Sequence, residues 1–151
     1  MNLKATIGME THVELDTKSK MFCSCEVVET DEPNISVCPT CLGLPGALPV
    51  PNKTAIEYIV MLSLGANCNI TNEGMFHRKN YFYPDLPKNY QISQFDFPVG
   101  VNGSLEIVLD EELHSVEIER VHMEEDTGKS VHIGSGRIDS ATSTLLDFNR
   151  S

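Results

Sequence analysis

Hydrophobic and polar positions alternate with a period of two near the start of the chain, over residues 6–15. That period is typical of a β-strand, because successive side chains of a strand point to opposite faces. We therefore predict a strand with one apolar face and one face that carries groups able to bind a metal. The apolar face would hold Ile7, Met9, Thr11, Val13 and Leu15, and the other face Gly8, Glu10, His12 and Glu14.

The pattern changes to that of a helix over Lys53–Leu64. Asn52 is a suitable N-cap, Pro51 ends any earlier element, and Gly65 is suited to the position after the last helical residue. The apolar residues of this segment surround most of the helix axis, so we expect the helix to be largely buried. They are Ala55, Ile56, Ile59, Val60, Met61, Leu62 and Leu64.

The remaining pattern indicates loops and further strands. No long regular element is predicted over residues 16–51, which are rich in turn-forming residues and cysteines. The Asn102-Gly103 pair predicts a hairpin turn. Strands are predicted near Leu105–Leu109, Leu113–Met123, Val131–Ile133 and Thr144–Phe148. The class is α+β, mixed and strand-rich, with residues 1–151 in one domain.

The composition of the chain argues against some classes of protein. The chain has 11 Lys and Arg against 22 Asp and Glu, a formal net charge of −11. Nucleic-acid-binding modules are usually basic, so this chain is a poor candidate for holding RNA by itself. The longest mainly apolar stretch, residues 55–66, is too short to span a bilayer. We expect no secretory leader, because residues 1–4 lead into the first predicted strand without a long apolar region. We expect a cytoplasmic protein without membrane contact.

Four of the five cysteines form two close pairs, Cys23 with Cys25 and Cys38 with Cys41. Two such pairs joined by a short irregular loop can bring four thiolates around one tetrahedral ion. Thiolates select Zn²⁺, and an iron–sulfur cluster is the main alternative. Four buried free thiols that bind no metal are the remaining alternative. Four thiolates leave no open coordination position, so the site would be structural. Cys68 has no partner in the pattern and is expected to be a buried thiol at a helix end.

A second group of candidate ligands combines Glu10 and His12 with the cluster at residues 122–126. Side chains two apart on a strand project the same way, roughly 7 Å apart at Cα, and can share one cation. Carboxylates with one imidazole favour Mg²⁺ or Mn²⁺ over Ca²⁺. The spacing leaves a solvated sheet face and an exposed strand end open as alternatives.

Residues 78–91 contain three tyrosines, two lysines and two prolines. The prolines exclude a regular helix and a central strand, and loops of this composition often line binding sites. A loop that merely covers the core is the alternative. The chain has no Walker A sequence, nucleophile elbow or dinucleotide fingerprint.

At these residues the chain resembles a known family, the B subunits of aspartyl/glutamyl-tRNA(Asn/Gln) amidotransferases, together with their archaeal-type E relatives. The resemblance extends over nearly the whole chain. It departs from the usual Leu-Glu-Val-His at Met9-Glu10-Thr11-His12, where both changes fall on the face opposite the candidate ligands. The matching motifs lie at residues 7–15, 20–25, 37–49, 78–94, 124–130 and 146–151.

The resemblance implies a strand-rich, cradle-type catalytic domain and an ATP-dependent carbon–nitrogen ligase. The B subunit would use ATP and Mg²⁺ to phosphorylate the side-chain carboxylate of Glu-tRNA(Gln) or Asp-tRNA(Asn). Ammonia released from glutamine by the partner amidase, the A component, would then displace the phosphate. A small C component would complete the heterotrimer.

The resemblance also implies roles for individual residues. Glu10, His12 and Glu125 are the expected Mg²⁺ ligands and, with Lys79, the expected catalytic groups. The path of substrate and ammonia is expected to involve Tyr81, Tyr83, Lys88 and Glu124.

Two alternatives remain open at the level of sequence. One is the archaeal-type E form, which is specific for Glu-tRNA(Gln) and shares the early motifs. The other is a zinc-clasped scaffold domain without catalysis. The family motif at residues 146–151 would continue with Gly-x-Pro-Leu, so we expect the N-terminal part of a longer protein, without its C-terminal tRNA-binding domains and inactive alone. The choice between Glu-tRNA and Asp-tRNA is left open.

Overall fold

The computed structural model describes residues 3–134 and 141–150. One α-helix, α1 (Lys53–Gly65), precedes seven strands in these ranges. The strands are β1 (Asn69–Ile70), β2 (His77–Asn80), β3 (Tyr90–Ser93), β4 (Gly100–Leu109), β5 (Glu112–Val121), β6 (Lys129–Gly134) and β7 (Ala141–Asp147). The α+β, strand-rich class is confirmed. Two ends of the predicted 1–151 domain, including Ser151 of the last motif, lie outside the described residues.

Within residues 3–134 and 141–150, all strand pairs are antiparallel and form three small sheets. The largest has the order β1-β4-β5, while β2 pairs with β3 and β6 with β7. An isolated bridge between Ser93 and Glu124 connects the end of β3 to the segment that follows β5. This bridge brings the 122–126 cluster beside the β2–β3 hairpin.

The helix begins where the sequence predicts. The Asn52 side chain accepts hydrogen bonds from the backbone N–H of Thr54 at 2.9 Å and of Ala55 at 3.4 Å. Its amide donates to Ser19 O at 3.0 Å, so the cap also fixes the helix to the cysteine-rich loop. Gly65 is the last helical residue, one position later than the predicted end, and Ala66 is the C-cap.

The prediction of a largely buried helix is wrong. Only Ala55, Ile59 and Ser63 are buried, whereas Met61 and Leu64 are 66% and 59% exposed. One stripe packs against the rest of the described chain, and Ala55 and Ile59 form the central core cluster with Met123. The helix is apolar on most of its circumference, but the described chain covers a single side of it.

The predicted hairpin turn at Asn102-Gly103 is also wrong, because β4 continues through both residues. The turn lies at Asp110 and Glu111, whose φ angles of 51° and 66° are those of a left-handed hairpin turn. Gly103 serves packing instead. A Cβ added there would lie 2.6 Å from Ala66 O, so the glycine lets the helix end approach the strand.

The strand predicted over residues 6–15 does not form in the described structure, where this segment has no ladder. Its apolar face is open, with Ile7 and Met9 87% and 86% exposed. An alternating pattern makes a strand only when a neighbouring strand accepts its backbone hydrogen bonds. The described chain supplies no such neighbour at this position.

Strands β1, β2 and β3 were not predicted, and β2 and β3 lie at the ends of the segment interpreted as a loop. The prolines occupy the connection between them, which is irregular as predicted. The strands predicted near residues 105–109, 113–123, 131–133 and 144–148 are confirmed as β4, β5, β6 and β7, although β5 ends at Val121 and β7 at Asp147. Among the described helices, none has the length and apolar character needed to cross a membrane.

Candidate functional site

The two cysteine pairs come together as predicted. One sulfur from each of Cys23, Cys25, Cys38 and Cys41 lies within 4.8 Å of the others, a group that could hold a metal ion. The Cys41 sulfur is 3.6 Å from Cys23, 3.7 Å from Cys38 and 3.9 Å from Cys25. Four sulfurs about 2.3 Å from a tetrahedral zinc are about 3.8 Å apart. We call these four residues the cysteine cluster.

Tight backbone turns hold each half of the cluster. Around the second pair, Leu42 N donates to Cys38 O at 3.2 Å and Gly43 N donates to Thr40 O at 3.1 Å. Gly43 has a φ of 62°, which glycine adopts at little cost. Around the first pair, Lys20 N donates to Cys25 O at 2.9 Å. These turns direct thiols that are distant in sequence to one point.

The thiols differ in how readily they ionise. Burial raises the pKa of Cys23 and of Cys25 above their ordinary value. Burial also opposes ionisation of Cys38, but hydrogen bonds from the backbone N–H groups of Cys41 and Thr40 and from neighbouring thiols lower its pKa to about 6. Cys38 is therefore more readily ionised than Cys23 or Cys25, and the thiolate is the form that binds metals. Cys68 is buried at the end of α1, outside the cluster, as predicted.

The 122–126 segment meets both the β2–β3 hairpin and the N-terminal segment. Burial lowers the pKa of His122, and the charges of Glu124 and Glu10 act in the opposite direction. Burial raises the pKa of Asp126, which Arg150 partly offsets, with a smaller influence of His12. The electrostatic influence of Glu10 and His12 thus reaches this segment.

Glu10, His12 and Glu125 do not form a ligand group in the structure. Within residues 3–134 and 141–150, the cysteine cluster is the group of three or more potential ligands whose donor atoms lie within 4.8 Å of one another. Glu10 and His12 are exposed. Their joint role as Mg²⁺ ligands stays a prediction.

Glu125 is engaged in a buried ion pair with Lys88. Lys88 Nζ donates to Glu125 Oε1, and the two side chains are 4% and 8% exposed. Glu125 Oε2 accepts from Ile92 N at 3.1 Å. The pair connects the β2–β3 loop to the segment after β5 and gives both charged groups a partner.

Glu124 is surrounded by four polar side chains. Its carboxylate accepts from Gln91 Nε2 at 3.0 Å and from Ser93 Oγ at 3.2 Å. Lys79 Nζ lies 3.9 Å and His122 Nε2 4.0 Å from Glu124 Oε2. The β2–β3 register, which pairs Lys79 with Gln91, sets this arrangement. We call these five residues the Glu124 cluster.

Of this cluster, Glu124 and Lys79 were predicted as site residues, and His122 lies in the predicted ligand group at residues 122–126, whereas Gln91 and Ser93 were not predicted individually. Gln91 lies in the tyrosine- and proline-containing segment at residues 78–91, whereas the contact of Ser93 with Glu124 depends on the hairpin register. The remaining candidates, Tyr81 and Tyr83, lie in the β2–β3 loop with their rings stacked at 5.9 Å. Both tyrosines are partly exposed, at 46% and 42%.

A second feature that the sequence did not predict is a set of hydrogen bonds between the cysteine-rich loop and the last residues described. Asn34 N donates to Asp147 Oδ1 at 3.0 Å, and Phe148 N donates to Asn34 Oδ1 at 2.8 Å. Ser36 N donates to Asn149 Oδ1 at 2.9 Å. We call these contacts the loop latch. The latching loop lies between the two cysteine pairs.

Arg150 connects the C-terminal segment to two carboxylates, those of Asp126 and Glu14. Its Nε lies 3.0 Å from Asp126 Oδ2, and its Nη1 lies 3.5 Å from Glu14 Oε1. The cysteine cluster, the loop latch and the 122–126 segment are thus joined by consecutive polar contacts.

Comparison with known proteins identifies the family to which the chain is similar. A family model described as the GatB/GatE catalytic domain matches residues 5–151. The chain is 58% identical over 148 residues to the B subunit of the aspartyl/glutamyl-tRNA(Asn/Gln) amidotransferase of Nocardia farcinica, covering 96% of this chain and 29% of that protein. Proteins of the same name from Frankia casuarinae and Salinispora tropica are 57% and 55% identical, each over 147 residues and 96% of this chain.

The chain covers 29% of the Frankia protein and 30% of the Salinispora protein, so it spans less than a third of the length of these relatives. The matched family model nevertheless extends over almost the whole chain. The chain belongs to the GatB/GatE catalytic-domain family.

Proposed function

We propose that the chain acts as part of the B subunit of an amidotransferase that converts Glu-tRNA(Gln) or Asp-tRNA(Asn) to the amidated form. The observation that carries this proposal is the identity of 55–58% to proteins named as that subunit. The proposed reaction activates the side-chain carboxylate with ATP and then replaces the phosphate with ammonia. A carboxylate is a poor acyl donor at neutral pH, and phosphorylation gives it a leaving group.

The proposed site lies around the Glu124 cluster and the N-terminal segment. Mg²⁺, when bound, would neutralise charge on the phosphates of ATP. We assign its ligation to Glu10, His12 and Glu125, a set of two carboxylates and one imidazole that suits this ion. Since Glu125 is paired with Lys88, its participation requires that Lys88 give up one carboxylate oxygen.

Lys79, Lys88 and the loop tyrosines are proposed to contact substrate or ammonia. Lys79 is 63% exposed at its side chain and remains close to Glu124, so it can reach an incoming anionic group. Tyr81 and Tyr83 present stacked, partly exposed rings beside it in sequence. A cation and two aromatic faces are suited to a phosphate and a base or sugar.

For the cysteine cluster we propose a structural Zn²⁺ in a cradle-type domain. The sulfur separations of 3.6–3.9 Å from Cys41 fit tetrahedral thiolate coordination. All four positions would be filled by protein, so the ion would stabilise the fold and take no part in the reaction.

The proposal includes a partner amidase (the A component) that supplies ammonia and a small C component, assembled in the cytoplasm. The net charge of −11 is consistent with tRNA being held mainly by other parts of the assembly. The chain without those parts is proposed to be inactive.

The test reconstitutes the complete B subunit with its partners and measures ATP-dependent conversion of Glu-tRNA(Gln) to Gln-tRNA(Gln). Glu10→Ala and Glu124→Gln should each slow the conversion by about 100-fold or more, the scale on which losing one preorganised charged group slows catalysis. Glu117→Gln removes an exposed carboxylate of β5 and serves as the matched control. Unchanged rates in Glu10→Ala and Glu124→Gln, with normal assembly, would show the site assignment to be wrong.

A further inference from the structure

We propose that Lys20 is a functional part of the metal site, in which its ammonium compensates the charge of the four thiolates and ties the site to the C-terminal segment. Lys20 is 5% exposed. Its Nζ lies 3.3 Å from Cys41 Sγ and donates to Phe148 O at 2.6 Å. The inference rests on the proposed metal occupancy of the cysteine cluster, and it adds a residue and a role that the four ligands do not explain.

The charge of the site explains the need for a cation. Four thiolates around a divalent ion carry a net charge of −2, and Cys41 is itself only 4% exposed. Buried negative charge is costly unless hydrogen-bond donors or cations offset it. Backbone N–H groups donate to Cys38 and Cys23. At Cys41 the charged donor is the Lys20 ammonium.

The burial of the Lys20 ammonium also supports the proposal. A buried ammonium is stabilised by hydrogen-bond acceptors and by negative charge nearby, and the Phe148 carbonyl is one such acceptor. The Asp147 carboxylate contributes from a distance, and the thiolates of a loaded site supply charge in direct contact. Lys20 and the metal site therefore stabilise each other, and the ammonium connects Cys41 to a carbonyl 128 residues further along the chain than Lys20.

The backbone fixes Lys20 in this position. Lys20 N donates to Cys25 O at 2.9 Å, and Ser19 forms a bridge with Glu26. The lysine thus belongs to the same turn that presents Cys23 and Cys25. The Lys20 side chain begins beside the first cysteine pair, and its ammonium lies beside Cys41 of the second pair. The ammonium is therefore close to the position proposed for the ion.

The experiment measures the Zn²⁺ dissociation constant of the full chain under reducing conditions, by competition with a chromophoric chelator. Lys20→Met removes the charge, Lys20→Gln removes the charge but keeps an N–H donor, and Lys20→Arg keeps the charge. Lys18→Met removes the same charge from an exposed position two residues away. Co²⁺ spectra of each variant report whether the four thiolates still bind.

We expect Lys20→Met and Lys20→Gln to raise the Zn²⁺ dissociation constant about 10- to 100-fold, the scale found for partners of metal ligands. Lys20→Arg should stay within a few-fold of the parent chain, and Lys18→Met should leave the constant unchanged. The tetrathiolate Co²⁺ spectrum should persist at saturating Co²⁺ in every variant. If Lys20→Met does not fold, the Lys20→Gln and Lys20→Arg comparison carries the test.

Four results would overturn the inference. Unchanged Zn²⁺ affinity in Lys20→Gln, or equal weakening in Lys20→Arg and Lys20→Gln, would remove the charge role while leaving the proposed zinc site intact. If Lys18→Met weakened Zn²⁺ binding equally, the effect would come from the net charge of the chain and not from the position of Lys20. Failure of the parent chain to bind Zn²⁺ would overturn the zinc proposal together with this inference, and the parent measurement alone identifies that case.

Discussion

Lys88 and Glu125 form an ion pair whose two side chains are almost fully withdrawn from solvent, at 4% and 8% exposure. Removing one partner of such a pair leaves the other charge buried without compensation, which typically costs about 3–5 kcal/mol. We therefore expect Lys88→Met and Glu125→Gln each to lower the free energy of unfolding on that scale. Urea unfolding of the full chain, followed by circular dichroism, measures the change.

The double variant Lys88→Met/Glu125→Gln provides the control. Because the two side chains share one interaction, the loss in the double variant should be smaller than the summed losses of the single variants, by about 0.5–3 kcal/mol. Losses that simply add would contradict a direct energetic coupling between the residues.

Gly43 is expected to resist substitution for two separate reasons. Its φ of 62° strains any residue with a Cβ, and that Cβ would also meet the Lys88 side chain and lie 3.0 Å from Lys88 Cα. Gly46 has a φ of 85° but no atom within 4 Å of the added Cβ. Gly46→Ala should therefore cost about 1–2 kcal/mol of backbone strain, and Gly43→Ala should cost more. Thermal unfolding of the two variants compares them, and equal melting temperatures would argue against the Lys88 contact.

Asp147 should make the stability of the loop latch depend on pH. Burial opposes its ionisation, but the N–H groups of Asn149 and Asn34 hold its pKa below the ordinary value of 3.8. A carboxyl whose pKa is lower in the folded state contributes stability above its unfolded pKa and loses that contribution as the pH falls through the folded pKa. Asp147→Asn should therefore be less stable than the parent chain at about pH 6–7, and the difference should shrink below about pH 4.

Urea unfolding at a series of pH values tests this dependence. Glu117→Gln is the matched control, because loss of an exposed strand carboxylate is expected to change the unfolding free energy by less than about 0.5 kcal/mol. A difference between Asp147→Asn and the parent chain that stays constant from about pH 7 to about pH 3 would count against the hydrogen-bonded carboxylate.

Removal of the metal should loosen the C-terminal segment as well as the cysteine-rich loop. The latching loop is held at both ends by cysteine pairs, so chelation of the proposed zinc should loosen the backbone at Asn34 and Phe148 together. We expect one zinc per chain by elemental analysis, faster hydrogen exchange at both residues after chelation, and an unstable Cys38→Ser variant. A metal-free chain with unchanged exchange would contradict a structural role for the ion.

Local signals in the sequence predicted the features that depend on neighbouring residues. Asn52 caps the helix through the amides of Thr54 and Ala55, which lie within the same turn. The cysteine cluster was equally predictable, because pair spacing and a short connecting loop restrict where the four sulfurs can go. Both follow from interactions over short stretches of chain.

The predictions of secondary structure and burial were wrong where contacts between residues distant in sequence determine the structure. The alternation over residues 6–15 lacks a strand beside it, and the exposed faces of Met61 and Leu64 lack covering elements within the described chain. Asn102 does adopt a left-handed φ of 53°, yet Gly103 accommodates the helix end and β4 continues. The tertiary contact prevailed over the turn signal.

The Glu124 cluster and the contacts of Lys20 could not be derived from sequence patterns for the same reason. Ser93 reaches Glu124 only because β3 bridges the segment after β5. Lys20 reaches Phe148 across 128 positions. A lysine preceding a cysteine motif gives no sign of such a partner.

The loop latch also constrains the order of events as the chain is synthesised. All four cysteines of the cluster leave the ribosome long before Asp147, which lies 113 positions after Asn34. The cysteine cluster closes a short loop and can capture its ion early, whereas the latch must wait for a late segment. By then the loop between the cysteine pairs is already held at both ends, so less chain entropy remains to be lost when Asp147 and Asn149 arrive. A metal bound near the N-terminus would thereby prepare the docking surface for residues made much later.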